Sequence, residues 1–184
     1  MRVIAGTRKS LTLKSIPGMG TRPTTDRIKE TLFNIIAPDL YGCRFLDMFA
    51  GSGGIGIEAL SRGASYCCFV EQNPRAASIL KENIKRAEFN DCSDVKIKNA
   101  LRCDEFLSDA EPFDIIFMDP PYDNGFEEQA VKKILKTNAV KADTMFIIEA
   151  SAETDFSWTS EAGLLFVKEK NYKTNKHVFL KPGD

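Results

Sequence analysis

At 184 residues, with 43% apolar and 28% charged residues, the chain has the size and composition of one globular domain with a small extension. It contains no run of about 18 apolar residues and no apolar core behind its basic start, which excludes a spanning helix and points to a cytoplasmic protein. The net charge of −1 hides a pattern: residues 1–30 carry +5, residues 167–184 carry +3 and the middle carries −9, so basic ends brought together would attract phosphate, whereas scattered they are only solvated surface.

In chain order, "RVIAG" (Arg2–Gly6) and "LTLKS" (Leu11–Ser15) read as a short hairpin around a basic turn. Ile16 to Pro23, "IPGMGTRP", is a Pro/Gly linker. A helix is expected after Thr24 or Thr25, either of which can cap it, and should run to about Ala37. Its apolar face would be Ile28, Leu32, Ile35 and Ile36, with Phe33 flanking. From Arg44 onward, the candidate strands "RFLDMF", "SYCCFVE", "DVKIKN", "FDIIFMD" and "TMFIIEA" alternate with helical stretches such as Ile55–Arg62, Arg75–Phe89 and Phe126–Leu135. Near-continuous apolar strands alternating with helices predict a parallel sheet covered on both faces. "LLFVKEKNY" and "KHVFL" predict a closing antiparallel hairpin. The expectation is one domain over 1–184, with 1–40 as an extension and 41–184 as the core. Cys43, Cys67, Cys68, Cys92 and Cys103 are odd in number and form no Cys-x-x-Cys pair, so neither disulfides nor a metal site are expected.

"LDMFAGSGGIGIEAL" joins the first sheet strand to a helix, and Gly51, Gly53 and Gly56 match GxGxxG. Glu71 follows at the end of the next strand, where an acidic side chain can accept from ribose hydroxyls. Such a loop can also serve only to turn the chain. Asp47 stands just before it. A carboxylate there would repel a pyrophosphate but suit a cationic nucleoside such as S-adenosylmethionine; the plainer alternative is that it braces the loop by accepting backbone N–H groups.

"FDIIFMDPPY" ends a buried strand in Asp119, Pro120, Pro121 and Tyr122. The prolines remove two backbone donors. What they leave are acceptors, the Asp119 carboxylate and the Pro120 carbonyl, beside the aromatic face of Tyr122. That combination suits a planar group bearing an amine. Hydrogen bonds from its N–H groups would favour pyramidalisation and free the lone pair, while stacking on Tyr122 would hold the ring. A base in structured nucleic acid would first have to be unstacked. The competing view is a rigid turn with Asp119 as its cap. His177, the only histidine, lies in the closing hairpin and reads as a satisfied sheet residue rather than a general base. Trp158 reads as packing.

Together these residues resemble the RsmD family, bacterial S-adenosylmethionine-dependent methyltransferases that modify the exocyclic N2 of a guanine in 16S ribosomal RNA. The resemblance covers essentially the whole chain. "GTRPTTDRIKETLFNI" is similar to the family's N-terminal signature, "LDMFAGSGGIGIEALSRGA" and "FVEQN" to its cofactor motifs, and "FDIIFMDPPY" to its catalytic motif. It implies a Rossmann-like class I fold: a mostly parallel seven-stranded sheet with an antiparallel C-terminal hairpin. It further implies that Phe49, Ala50, Gly51, Ser52 and Gly53 line the methionine end of the cofactor, with Asp47 nearby. Glu71 would bind the ribose, Gln72 or Asn73 would lie near the adenine, and Asn99 and Ala100 beside it. Asn99 stands where the family usually has an acidic residue. Asp119, Pro120, Pro121 and Tyr122 would form the catalytic pocket, and Arg22, Thr24 and Arg27 would lie over the cofactor or at the RNA entrance. The implied partner is 16S rRNA, as a small ribosomal subunit or an assembly intermediate, with no membrane and no metal. Two further departures, a short "GTRKSL" turn and Lys173-Thr174-Asn175 in the closing hairpin, fall outside the residues assigned to the chemistry.

Other classes remain open at this point. An amino-methyltransferase of DNA adenine would generally need a separate recognition region. One acting on protein glutamine favours Asn where this chain has Asp119. A nicotinamide oxidoreductase fits GxGxxG but not Asp47 or DPPY. A non-catalytic RNA-binding assembly factor would not need an intact loop and pocket.

Overall fold

The computed structural model describes residues 1–15, 26–122 and 124–183. They fall into two compact units, Met1–Ile97 and Lys98–Asp184. The expected linker and the Thr24/Thr25 cap lie outside the described residues.

The first unit opens with two short antiparallel segments joined by one bridge, Arg2 with Thr12, flanked by Val3 N–H to Leu11 O and Leu13 N–H to Met1 O at 2.9 Å each. The expected hairpin is present, reduced to its minimum. Helix α1, Asp26–Ile35, buries Lys29, Leu32 and Phe33. Its inward face is therefore rotated toward Lys29 relative to the expected apolar stripe, and Ile28 and Ile35 are only half-buried. It ends at Ile35, two residues before the expected end. Ile36 leaves helical geometry, and α2, Ala37–Leu40, restarts with a proline in its first turn, where the missing N–H costs no helical bond.

Strands β1 (Arg44–Asp47), β2 (Tyr66–Val70) and β3 (Ser93–Lys96) follow, with α3 (Gly56–Ser61) and α4 (Pro74–Arg86) as crossovers. They pair in parallel in the order β3-β2-β1. Phe45, Leu46, Phe69, Val70 and Leu80 are fully buried between strands and helices. A buried carboxylate ties the N-terminal segment to this core. Glu58 of α3 accepts from Ile4 N–H at 2.8 Å and Ala5 N–H at 3.0 Å, and pairs with Lys29 at 3.1 Å and Arg62 at 2.8 Å. The Lys29 ammonium also donates to the Arg2 carbonyl at 2.6 Å. Burial lowers the Lys29 pKa against the opposing pull of Glu58.

The second unit holds β4 (Ile115–Met118), α5 (Phe126–Ile134), β5 (Met145–Ser151), α6 (Trp158–Glu161), β6 (Leu164–Asn171) and β7 (Asn175–Pro182), in the strand order β4-β5-β7-β6. β4 and β5 are parallel, while β7 runs antiparallel to both β5 and β6. All four residues of β4 are buried. A 3-10 turn at Ala100–Glu105 and the short α6 have no counterpart in the sequence reading. Trp158 packs on Phe156 at 5.8 Å. The seven strands make a mixed, mostly parallel sheet with antiparallel C-terminal strands, as expected. Among the described residues no helix is long and apolar enough to cross a membrane.

Replacing Glu58 by Ala strands the Lys29 ammonium in the core, and should cost about 3–5 kcal/mol in urea unfolding. Lys29→Met combined with Glu58→Leu should recover only part of that loss, because it removes the buried ammonium but leaves Arg62 and the Ile4 and Ala5 N–H groups without their acceptor.

Candidate functional site

In the first unit the glycine loop leaves β1 at Asp47 and enters α3 at Gly56. Its folding is carried by backbone bonds: Ala50 N–H to Val70 O at 3.0 Å, Gly53 N–H to Ala50 O at 2.8 Å and Ile57 N–H to Gly53 O at 3.0 Å. Gly51 and Gly53 adopt φ of +54° and +89°, which L side chains rarely tolerate. At Gly53 a Cβ would also lie 2.5 Å from Leu80 Cδ1. At Gly51 it would meet no atom of the chain within 4 Å, so only the backbone conformation demands glycine there. Asn83, fully buried on α4, clamps the loop from behind: its amide donates to the Ser52 carbonyl and to the Lys14 carbonyl at 2.9 Å each.

Asp47 is 1% exposed and accepts from Gly56 N–H at 3.1 Å. Burial pushes its pKa from 3.8 to about 7; N–H donors from Gly56 and Phe49 oppose the rise and the Glu71 charge adds to it. It therefore does brace the loop, and it also leaves a carboxyl group that a nearby cation would hold ionised. Glu71, half-buried just after β2, joins two loops: Oε2 accepts from Gly51 N–H at 2.9 Å and Oε1 from Asn73 N–H at 2.7 Å. Each carboxylate oxygen has a second lone pair for a hydroxyl. This set of carboxyl acceptors fits a hydroxyl-bearing cation such as S-adenosylmethionine and would repel a pyrophosphate. Phe49 and Ser52 are half-buried on the same loop, and Ala50 is buried. Gln72 is exposed. Asn73 is engaged locally, its Oδ1 accepting from Arg75 N–H at 2.9 Å as the N-cap of α4.

In the second unit, buried β4 delivers Asp119, half-buried, then Pro120, buried, then Pro121 and Tyr122 at the surface. Asn124 donates to the Pro121 carbonyl at 3.3 Å and to the Tyr122 carbonyl at 2.7 Å, pinning the turn. The Tyr122 hydroxyl donates to Glu149 Oε1 at 3.0 Å. Burial raises the Tyr122 phenol far above its ordinary range, and the charges of Glu149 and Asp119 raise it further, so Tyr122 acts as a neutral ring and donor. Asn99 caps the 3-10 turn by accepting from Leu101 N–H at 2.9 Å, and Ala100 is buried.

Of the residues expected at the RNA side, Arg27 is exposed on α1; Arg22 and Thr24 lie outside the described residues. Part of the N-terminal charge is neutralised within the first unit, where Arg2, Arg8, Lys14 and Lys29 pair with Asp26, Glu88, Glu82 and Glu58. His177 is fully buried with both ring nitrogens engaged, by Glu149 at 3.0 Å and by the Tyr172 hydroxyl at 3.2 Å, in accord with a satisfied sheet histidine. Sequence reasoning missed Glu58, Asn83 and Glu149. Glu149 had a signal, an acid inside the apolar run "TMFIIEA", but its partners lie 26 to 28 residues away in the chain. Asn175, one of the departures in the closing hairpin, donates to Glu149 Oε1 at 2.7 Å and also acts directly on the Tyr122 hydroxyl.

A family model described as conserved hypothetical protein 95 matches residues 1–181. Bacillus subtilis YlbH is 38% identical over 188 residues, spanning 100% of both chains. The Haemophilus influenzae protein named ribosomal RNA small subunit methyltransferase D is 35% identical over 168 residues, covering 86% of this chain and 85% of that one. The solved structure of Escherichia coli yhhF superposes with a TM-score of 0.86 at 29% identity, over 100% of this chain and 98% of that one.

The raised pKa of Asp47 makes a stability prediction. The folded chain holds this proton up to about pH 7, the unfolded chain only to about 3.8. Folding is therefore favoured by proton uptake at low pH, and that contribution is lost as pH rises through about 7. From about pH 5 to about pH 8, wild type should lose about 2–3 kcal/mol of unfolding free energy relative to Asp47→Asn, read by urea denaturation.

Proposed function

This chain belongs to the conserved hypothetical protein 95 family, the RsmD family, and on that premise we propose that it transfers a methyl group from S-adenosylmethionine to the exocyclic N2 amine of a guanine in 16S rRNA. The substrate would be the small ribosomal subunit or an assembly intermediate, met in the cytoplasm, and the chain would act as one methyltransferase domain. The observation that carries the chemistry is the segment Asp119–Tyr122: a fully buried strand fixes a turn that offers acceptors beside a neutral aromatic ring.

When bound, S-adenosylmethionine supplies an electrophilic methyl group on a sulfonium. The residues proposed to hold it are the loop Phe49–Gly53, Asp47 at its root, Glu71 at the ribose, Gln72 and Asn73 near the adenine, and Asn99 and Ala100 beside it. The Asp119 carboxylate and the Pro120 carbonyl accept hydrogen bonds from the guanine amine. Those bonds draw its nitrogen out of the ring plane and localise the lone pair for attack. Tyr122 stacks on the base, Pro121 stiffens the turn, and Arg22, Thr24 and Arg27 guide RNA. Catalysis is then positioning and electrostatics, with no metal.

Transfer of labelled methyl from S-adenosylmethionine to rRNA, small subunits and DNA in parallel, followed by mapping of the modified base, tests this reading. Label at a guanine N2 of 16S rRNA is expected; label on DNA or on no RNA would overturn it. Asp119→Ala should nearly abolish transfer while cofactor affinity stays within about threefold, since this carboxylate acts on the amine. Glu71→Ala should weaken cofactor binding by about 1–3 kcal/mol in calorimetry, the loss of a charged hydrogen bond.

A further inference from the structure

We propose that Glu149 is a positioning residue for methyl transfer: with Asn175 and His177 it sets the orientation of the Tyr122 ring. This rests on the proposed role of Tyr122 as the surface that holds the acceptor base.

Glu149 stands in a mostly apolar strand, directly after Phe146, Ile147 and Ile148, none of which is exposed. At 4% exposure its carboxylate has lost most of its water, which is unfavourable unless donors replace it. Three side chains do so. Oε1 accepts from the Asn175 amide at 2.7 Å and from the Tyr122 hydroxyl at 3.0 Å, and Oε2 faces His177 Nε2 at 3.0 Å. The antiparallel register places this set: Glu149 is paired with His177, and Asn175, two residues before it, points to the same face. Asn175 is 7% exposed and His177 not at all, so neither is a surface contact of convenience.

The proton positions follow from chemistry. An ionised carboxylate only accepts, so Tyr122 donates and His177 carries its hydrogen on Nε2. His177 Nδ1 lies 3.2 Å from the Tyr172 hydroxyl, so both ring nitrogens have a hydrogen-bond partner. Burial by itself would raise the Glu149 pKa, but the bonds from His177, Tyr122 and Asn175 outweigh it and hold the carboxyl below its usual range. Tyr122 is 37% exposed, with its hydroxyl directed inward to Glu149 and its backbone pinned by Asn124. A ring held at both ends offers a base a fixed surface. Without Glu149 the hydroxyl loses its acceptor, Asn175 loses the carboxylate that orients it, and the ring can turn about its side-chain torsions.

A double-mutant cycle in the full-length chain separates positioning from general support of the fold. Tyr122→Phe keeps the ring and loses the anchor; Glu149→Ala loses the anchor and keeps the tyrosine. Each should lower kcat about tenfold while S-adenosylmethionine Kd stays within about twofold, and the double variant should be no slower than Glu149→Ala alone. Glu149→Gln, which keeps an oxygen for the hydroxyl, should recover most of the rate. Effects that multiply across the cycle would overturn the proposal. NMR of the chain carrying isotope-labelled tyrosine gives a readout independent of turnover. The Tyr122 ring should show one ordered conformation in wild type and averaging in Glu149→Ala. If the alanine variant does not fold, Glu149→Leu, which fills the space without an acceptor, should show the same averaging. An unchanged Tyr122 signal would also overturn the proposal. Wild-type protein that methylates no RNA would instead sink the proposed function, and the NMR result would still decide whether Glu149 orders Tyr122.

Discussion

A carboxylate taken out of water has to find donors for its oxygens, and this chain uses that need to join segments far apart in sequence. Glu58 draws the N-terminal segment onto α3 through two backbone N–H groups and a buried ammonium. Asp47 fixes the start of α3 relative to β1. Glu71 ties the glycine loop to the loop after β2. Glu149 collects β7 and the turn after β4. Apolar burial supplies the bulk of the stabilisation, but it is non-directional. These acids, with their demand for particular donors, specify where each loop sits.

Each acid ties function to fold. Glu71 and Asp47 hold the loop proposed to carry the cofactor and are also the groups offered to it. A ligand that competes for them loosens the loop as it binds, or must accept a shared bond. Glu149 is set one bond further back: it holds the hydroxyl of Tyr122, the residue proposed to stack on the base. Substitution at any of them mixes a structural effect with a chemical one, so affinity, turnover and stability have to be measured on the same variant.

Strands β2, β4 and β5 were legible because each is built on a short apolar run; "FDIIFMD" became β4 with its ends trimmed, and "TMFIIEA" became β5 displaced by one residue to end at Ser151. The loop was legible because Gly51 and Gly53 need a left-handed backbone. Less could be read where the answer depends on residues distant in the chain. Nothing near Lys29 in the sequence says that a lysine will be among the buried residues of α1; that follows from Glu58, 29 positions later, and the rotated helix face comes with it. The family resemblance assigns Asn73 and Asn99 to the cofactor, but both serve first as local caps, a use that their position before a helical segment already suggests. Glu149 could be noticed as an anomaly, but its partners emerge only when β7 has paired with β5.

That pairing has a consequence for how the chain folds. Side chains alternate along a strand, so a slip of β7 by one residue would turn Asn175 and His177 to the opposite face and bring Lys176 and Val178 in their place. Glu149 would then lose two of its donors while remaining buried, and the Tyr122 turn would lose its fixed anchor. The polar network therefore penalises a misregistered hairpin far more than the apolar residues around it, for which neighbouring registers differ less. Strands β6 and β7 thus carry a check on their own alignment, and a chain that fails it also fails to present an ordered Tyr122.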